Sequence, residues 1–382
     1  MKLLIKGEFF FLDNEICLIR ALQKKGIKLR YLVPVDKWRL KAALLDIKKQ
    51  YPHTGIYPAS LYEEFNLYAK YINLDDVYVI NRPHGLLHPS SIWLYLKILL
   101  FVLRFSPDVI HYTWQQYGLN YLFYLFKARK VMTVHDPIPH SNADNERENK
   151  ARLSAFKASD AFVLLSNNMK TEFSKRYNID LRRIFITKLG VFDYLKDLPY
   201  PTENKDYKYI LFFGQIAPYK GLEYLLAAMV EVHKKHPNIK LIVAGGGKMY
   251  FDIRPYENLE YLDIRNRFIP MEELVPLLKG AYFSVAPYKD ATQSGLLYNS
   301  LSLCVPMVTT NVGAFPEMIR NGENGLLVNP CDSGALADAI IRLLDNPDLL
   351  ESMRTNIKNK WIPSMSWDEI ADVFIESYKI TK

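Results

Sequence analysis

The residues of this 382-residue chain whose types and spacing can do chemistry are a lysine behind a glycine turn and a Ser-Gly pair opening a helix. In Phe212-Phe213-Gly214-Gln215 an apolar strand leaves the core into a glycine loop, and Lys220-Gly221 stands at the entrance to the next helical pattern. Gly214 lets a ligand approach the backbone, and Lys220 supplies positive charge to phosphate oxygens without demanding bidentate geometry. The plain alternative is a helix-entry turn with a surface lysine. Farther on, Gln293-Ser294-Gly295-Leu296 begins a helix that also carries Asn299. Unpaired backbone N–H groups and the helix dipole at such a start can hold an anion.

Other stretches support or qualify that reading. Ala244-Gly245-Gly246-Gly247-Lys248 is a flexible or close-approach loop after a strand, without the Lys-Ser/Thr ending of a phosphate loop. Asn266-Arg267-Phe268-Ile269-Pro270 offers backbone groups and a flat guanidinium where a base can sit, or else is a capped loop. His135, at a strand end beside Asp136 and Pro137 with His140 nearby, is a general base, a metal ligand or a loop histidine. No third ligand accompanies the two histidines, which argues against metal. Gly7-Glu8 ends the first strand and is expected to line a cleft, the glycine serving access. Phe9-Phe10-Phe11 is acceptor surface or packing, with packing preferred. Glu317 reads as a first-turn acid favourable to the dipole.

These residues need a scaffold, and the apolar pattern specifies one. Strands are expected at 3–6, 28–33, 77–80, 109–111, 130–134, 161–165 and 184–186, with helices at 15–25, 39–50, 91–105, 118–126, 149–158 and 168–177. The order of 38–71 is not fixed by the pattern. After the polar, two-proline segment 198–208 the alternation restarts. Strands are expected at 209–213, 240–244, 259–262, 282–287, 307–309 and 325–328, and helices at 221–235, 271–279, 315–320 and 335–345. Near-continuous apolar strands alternating with helices predict two tandem doubly wound α/β domains. Ligands of such sheets bind beyond the carboxyl ends of the strands, here in a cleft between domains.

Hydrophobic residues at 49% and charged residues at 24% describe a soluble globular protein, and 382 residues suit two cores. Cys17, Cys304 and Cys331 are far apart and lack metal-ligand spacing, which predicts a reducing compartment without disulfides. The N-terminus reads as a strand and not a signal peptide. Segment 91–105 falls short of the roughly 20 apolar residues a bilayer span needs and reads as a core helix, the alternative being a membrane-facing one. The net charge of +8 fits acidic ligands or an anionic lipid surface. Nucleic-acid binding would need clustered cations with interleaved aromatics in a known motif, and none is present.

Taken in order, these motifs resemble the retaining, nucleotide-sugar-dependent glycosyltransferases of family 4, which have the GT-B architecture. The matching positions are Phe213-Gly214-Gln215 through Tyr219-Lys220-Gly221, Ala244 to Gly247, Asn266 to Pro270, Ala286-Pro287-Tyr288, Gln293-Ser294-Gly295, Val305 to Val308, Val312 to Glu317 and Gly322 to Val328. Val131 to Pro137 and Ala158 to Ser166 carry a weaker resemblance in the first half. The resemblance implies an acceptor domain at 1–200, onto which a C-terminal helix at 366–382 crosses back, and a donor domain at 201–365.

It further implies that Lys220 neutralises the donor diphosphate and that backbone N–H groups of Ser294, Gly295 and Leu296 receive its distal phosphate. Residues 266–269 lie along the base, and His135 contacts the transferred sugar from the opposite domain. No metal or other cofactor is required, and the departing phosphate takes the acceptor proton. The expected activity is hexose transfer from a UDP- or GDP-sugar to a hydroxyl of a saccharide or lipid-linked glycan, in the cytoplasm or at the inner face of a membrane.

Two departures from the family pattern stand out. Ala291 and Asn299 occupy positions that usually carry glutamates, and Gln215 replaces the usual arginine. The amide of Asn299 can serve a ribose hydroxyl, and that of Gln215 can donate to phosphate but brings no charge. The alternatives are a GT-B-shaped sugar-nucleotide epimerase and a non-catalytic nucleotide- or saccharide-binding relic.

Overall fold

A computed structural model describes residues 1–36, 40–42, 45–84, 88–115, 118–137, 146–202, 205–291 and 295–380. Internal contacts divide the chain into one unit of Met1–Gly190 with Ser366–Lys382 and another of Val191–Met365.

The strands of the first unit are β1 (Lys2–Lys6), β2 (Lys28–Asp36), β3 (Lys41–Ala42), β4 (Leu45–Asp46), β5 (Gly55–Pro58), β6 (Val77–Arg82), β7 (Val109–Tyr112), β8 (Arg129–Val134), β9 (Ala161–Leu164) and β10 (Ile184–Ile186). Eight of them form a sheet of order β10-β9-β8-β7-β1-β2-β6-β5, parallel throughout except for β5 against β6. Its helices are α1 (Leu12–Lys24), α2 (Pro89–Phe105), α3 (Glu146–Ala158) and α4 (Lys170–Tyr177). Leu3, Leu4 and Ile5 are fully buried, as a central strand covered on both faces requires. The strand order reverses between β1 and β7, so the carboxyl ends of these two strands flank a crevice.

The C-terminal helix Trp367–Tyr378 belongs to this unit and packs against α1, β8, β9 and β10. The Ser366 side chain caps it by accepting from the Asp368 N–H. Trp367, Ile370, Ala371, Phe374 and Tyr378 recur at helical spacing and are buried. Each large apolar side chain so buried stabilises by about 1.5–3 kcal/mol, which fixes this distant segment to the sheet.

In the second unit β11 (Lys208–Phe213), β12 (Ile239–Ala244), β13 (Leu262–Arg265), β14 (Ser284–Ala286), β15 (Met307–Thr310) and β16 (Gly325–Val328) form a fully parallel sheet of order β13-β12-β11-β14-β15-β16. Its helices include α5 (Leu222–Lys235), α6 (Met271–Gly280), α7 (Gly295–Ser302), α8 (Phe315–Met318), α9 (Ser333–Asp345) and α10 (Pro347–Asn356). The main core joins β11, β12, α5 and α9 through Phe212, Leu225, Met229, Leu241, Leu336 and Ile340. Here the order reverses between β11 and β14, at the ends marked by Gly214 and Pro287.

Several expectations are corrected. The helix expected at 39–50 is replaced, in its described part, by the short antiparallel pair β3 and β4. Leu45 and Ile47 are buried and Asp46 between them is not, a period of two that overrides the helix propensity of Ala and Leu. The helix expected at 118–126 is present over Gly118–Leu125 as a 3-10 helix. The strand expected at 259–262 lies three residues later, at Leu262–Arg265.

Candidate active site

In the second unit the residues expected to hold an anion gather at the sheet's switch point. Gly214 follows β11 with φ of +99°, a conformation that favours glycine. A Cβ built there would lie 3.3 Å from Lys220 Nζ and 3.0 Å from Leu296 Cδ1, so Gly214, Lys220 and the first turn of α7 converge. Lys220 is only 7% exposed, and its Nζ donates to the Tyr288 hydroxyl at the end of β14. The Tyr288 and Tyr219 ring centroids lie 4.6 and 5.6 Å from Nζ, within cation–π range. Burial pulls the Lys220 pKa below the ordinary lysine value, a cost that an anion beside it would offset.

Three other cations on this unit's glycine-loop side, Lys289, Arg265 and Arg267, are already paired. Lys289 Nζ donates to Glu223 Oε1 at 2.8 Å, and the other Glu223 oxygen accepts from the Tyr250 hydroxyl. Arg267 donates to Glu273 Oε1 at 2.7 Å, as does Arg265 at 3.0 Å; burial pushes the Glu273 carboxyl up, and the two guanidiniums together outweigh it and hold it below its usual range. Among the described residues Lys220 has no carboxylate partner. Of these four cations, Lys220 is the one left to meet an anion.

The glycine loops fit against one another. A Cβ on Gly245 would lie 2.0 Å from the Gly214 carbonyl oxygen, and one on Gly247 would lie 2.1 Å from that of Ile216. Gly214 N–H donates to Ala244 at 3.0 Å, Ile216 N–H to Gly246 at 3.0 Å, and Gly247 N–H to the Asn266 side chain at 2.9 Å. Asn266 thus fastens the loop, and the glycine run is close-approach backbone packing. Gln215 and Arg267 are exposed, and Phe268 is half-buried.

On α7, Gly295 is exposed and Leu296 is buried, and a Ser300–Ser284 hydrogen bond of 2.7 Å fastens the helix to β14. Asn299 is 9% exposed, and its Oδ1 has no hydrogen-bond partner among the described residues. A buried acceptor left open is costly, and a ligand hydroxyl is one group that could satisfy it. Ala291 is buried. Gln293 and Ser294 lie outside the described residues, as does His140.

In the first unit His135 follows β8 directly and stacks on Phe11, with centroids 3.6 Å apart and planes 10° from parallel. Phe10, Phe11 and Trp114 form an aromatic cluster beside it, while Phe9 is core. Desolvation holds the His135 pKa down to about 3, so the imidazole is neutral at pH 7. His111, fully buried, is also held down to about 3, by burial and then by the charge of His135. Its two ring nitrogens are occupied by Thr133 at 2.8 Å and by the Tyr378 hydroxyl at 2.9 Å.

Gly7 differs from expectation. A Cβ there would meet Glu15 Oε2 at 2.2 Å and the Tyr31 ring at 2.4 Å, so the glycine makes room for this internal pair. The Tyr31 hydroxyl donates to Glu15 Oε2, and buried Lys6 donates to the Gly7 carbonyl at 2.8 Å and to Glu8 at 3.3 Å. A cavity of about 20 Å³, room for about one water, is lined by Glu15, Asn14, Thr113, Thr133 and His135 among others. Sequence reasoning passed over Glu15, although it stands on the apolar face of α1 between Leu12 and Ile19 at helical spacing.

Burial pushes the Glu15 pKa up to about 7, against the hydrogen bonds from Thr113 and Tyr31. Its contribution to stability is complete below its unfolded value and is lost as pH rises to about 7. The two histidines act oppositely: their contribution is complete above about 6.5 and is lost as pH falls toward 3. Glu15→Gln removes only the first contribution. Between about pH 5 and 6.5 the variant should therefore gain stability with rising pH more steeply than the parent, by about 1.4 kcal/mol per pH unit. Urea unfolding across that range measures it, and parallel curves would contradict the assignment.

Residues 17–191 match the family model for Glycosyltransferase Family 4, and residues 196–360 that for Glycosyl transferases group 1. The chain is 28% identical over 236 residues to an uncharacterized glycosyltransferase of Methanocaldococcus jannaschii, covering 57% of this chain and 59% of the relative. It is 25% identical over 257 residues to the alpha-D-kanosaminyltransferase of Streptomyces kanamyceticus, covering 65% and 61%. The chain thus spans about three fifths of the length of these curated relatives. In fold it is similar to HepE of Anabaena, solved in complex with UDP-glucose, with a TM-score of 0.68, 14% identity, and 99% and 100% of the two chains covered. With a Glycosyltransferase Family 4 segment at 17–191 followed by a Glycosyl transferases group 1 segment at 196–360, the chain belongs to the glycosyltransferases of GT-B fold.

Proposed function

We propose that this chain is a retaining glycosyltransferase that moves a hexosyl group from a UDP- or GDP-sugar to a hydroxyl of a saccharide or lipid-linked glycan. The observation that carries the reading is Lys220: a buried cation at a sheet switch point, hydrogen-bonded to a phenol and to no described carboxylate. A buried ammonium placed so is stabilised by a diphosphate and by little else in its surroundings. The first turn of α7 adds the N–H groups of Gly295 and Leu296 beside it, with Ser294 and Gln293 before them in sequence.

In this reading Lys220 and the helix start neutralise the charge that develops on the leaving diphosphate, the term that contributes most to such a transfer. Gly214 and Gln215 admit the phosphates to the backbone, Arg267 and Phe268 lie along the base, and Asn299 Oδ1 accepts from a ribose hydroxyl. Neutral His135 contacts the transferred sugar through a hydrogen bond and does not supply a proton. The phosphate that departs takes the acceptor's proton. No resident metal is required, because fixed protein donors do the neutralising. Peripheral contact with an anionic membrane accompanies a lipid-linked acceptor.

Thermal unfolding of the full chain with UDP or GDP in the presence of EDTA tests the reading. One of the two nucleotides raises the transition in the parent protein, and Lys220→Ala loses that rise. A response that survives the substitution contradicts the diphosphate assignment, and a response that needs divalent metal contradicts the metal-free one.

A further inference from the structure

Helix α2 buries one face and leaves another large apolar face uncovered. Ser91, Leu94, Tyr95, Ile98, Val102 and Phe105 are buried and pack into the first unit. Ile92, Trp93, Leu96, Leu99, Leu100 and Leu103 are exposed, the first two at 66% and 65% and Leu103 at 56%. At about 100° per residue these six fall within a sector of about 120° on the helix. Lys97 and Arg104, both exposed, follow on one border of that sector. The 3-10 turn Gly118–Leu125 packs against α2 and adds Leu125, 84% exposed, and Tyr121.

We propose that this face of α2 docks the protein on an anionic lipid bilayer, lying in the headgroup region with its axis in the membrane plane. The inference takes up the membrane contact of the proposed function and gives it a surface. An apolar face with an aromatic residue and long cationic side chains along its border matches a helix that inserts shallowly while its lysine and arginine reach the headgroups. No described helix is long and apolar enough to cross a membrane, which fits a helix lying on the surface. Charge selects the occupant. Pro89–Phe105 contains no acidic residue, so the same helix of a second copy offers Lys97 and Arg104 no counter-charge, whereas anionic headgroups do. The net charge of +8 acts in the same direction.

Sedimentation of the full chain with phosphatidylcholine vesicles, with and without phosphatidylglycerol, tests this. The parent protein should sediment with the anionic vesicles and be partly released by added salt. Leu96→Asp with Leu100→Asp should weaken the association at least about tenfold, because each change removes an exposed leucine that would insert among the lipids and introduces a charge. Lys97→Glu with Arg104→Glu should abolish the preference for phosphatidylglycerol. Unchanged thermal transitions identify both variants as folded, since all four positions are solvent-exposed. Failure of the parent to sediment overturns the proposal, as does sedimentation unaffected by either double substitution. So does a dimer, seen by light scattering, that the leucine substitutions return to monomer. None of these readings requires turnover, so their failure leaves the glycosyltransferase assignment to its own nucleotide-binding test.

Discussion

Lys220→Ala is expected to lower kcat/KM for sugar transfer by about 10²–10³-fold, a loss of about 3–4 kcal/mol in transition-state stabilisation. The magnitude follows from where the cation sits. Nζ is enclosed by Tyr288, Tyr219 and the Gly214 turn, so its interaction with phosphate is little screened by water. Neither Lys289 nor Arg267 is free to substitute for it. Lys289 and Arg267 are engaged by Glu223 and Glu273, and Gln215 has no charge to give. Lys220→Met, which retains most of the stem, should lose nearly as much activity and so separates charge from packing. Steady-state kinetics with the best donor measures both variants. Parent-like turnover in either one means that the charge is supplied elsewhere.

Gly221→Ala is expected to destabilise the fold by about 3 kcal/mol and to remove the nucleotide response with it. Gly221 has φ of +65°, where any other residue is strained, and it caps the start of α5. A Cβ there would also stand 2.1 Å from the Pro287 carbonyl oxygen, a backbone atom that cannot rotate away. The clash lies between the residue after Lys220 and the residue before Tyr288, so its relief separates the two halves of the cation's seat. Chemical unfolding with and without nucleotide reads both effects, and a variant of parental stability would contradict the packing described.

Which parts of this were legible in the sequence follows from how local each signal is. The passage from β11 through Gly214 and Lys220 to α5 is written in consecutive residues, an apolar run, a glycine and a helical period, and it folds as read. The same holds for the C-terminal helix, whose buried positions are spaced at three and four. The segment around Leu45 misled because its alanines and leucines favour a helix, while its partners in space impose alternation.

Partnerships across the chain were illegible. Nothing near Lys289 in sequence announces that Glu223 will hold it, nor does His111 announce Tyr378, 267 residues away. Gly7 looked like an opening because glycine is small. The structure uses that smallness for Glu15 and Tyr31, which a sequence pattern of single elements does not bring together. That Asn299 Oδ1 is buried and without a partner among the described residues is likewise a fact of three-dimensional packing.

The central claim, nucleotide-sugar transfer with retention, is tested most directly by proton NMR of the full chain mixed with a panel of UDP- and GDP-linked hexoses and a saccharide acceptor. One donor is expected to be consumed, with release of its nucleoside diphosphate and a new anomeric signal of the same configuration as the donor's. A folded protein that consumes none of them would contradict the assignment, and a product of opposite anomeric configuration would contradict retention.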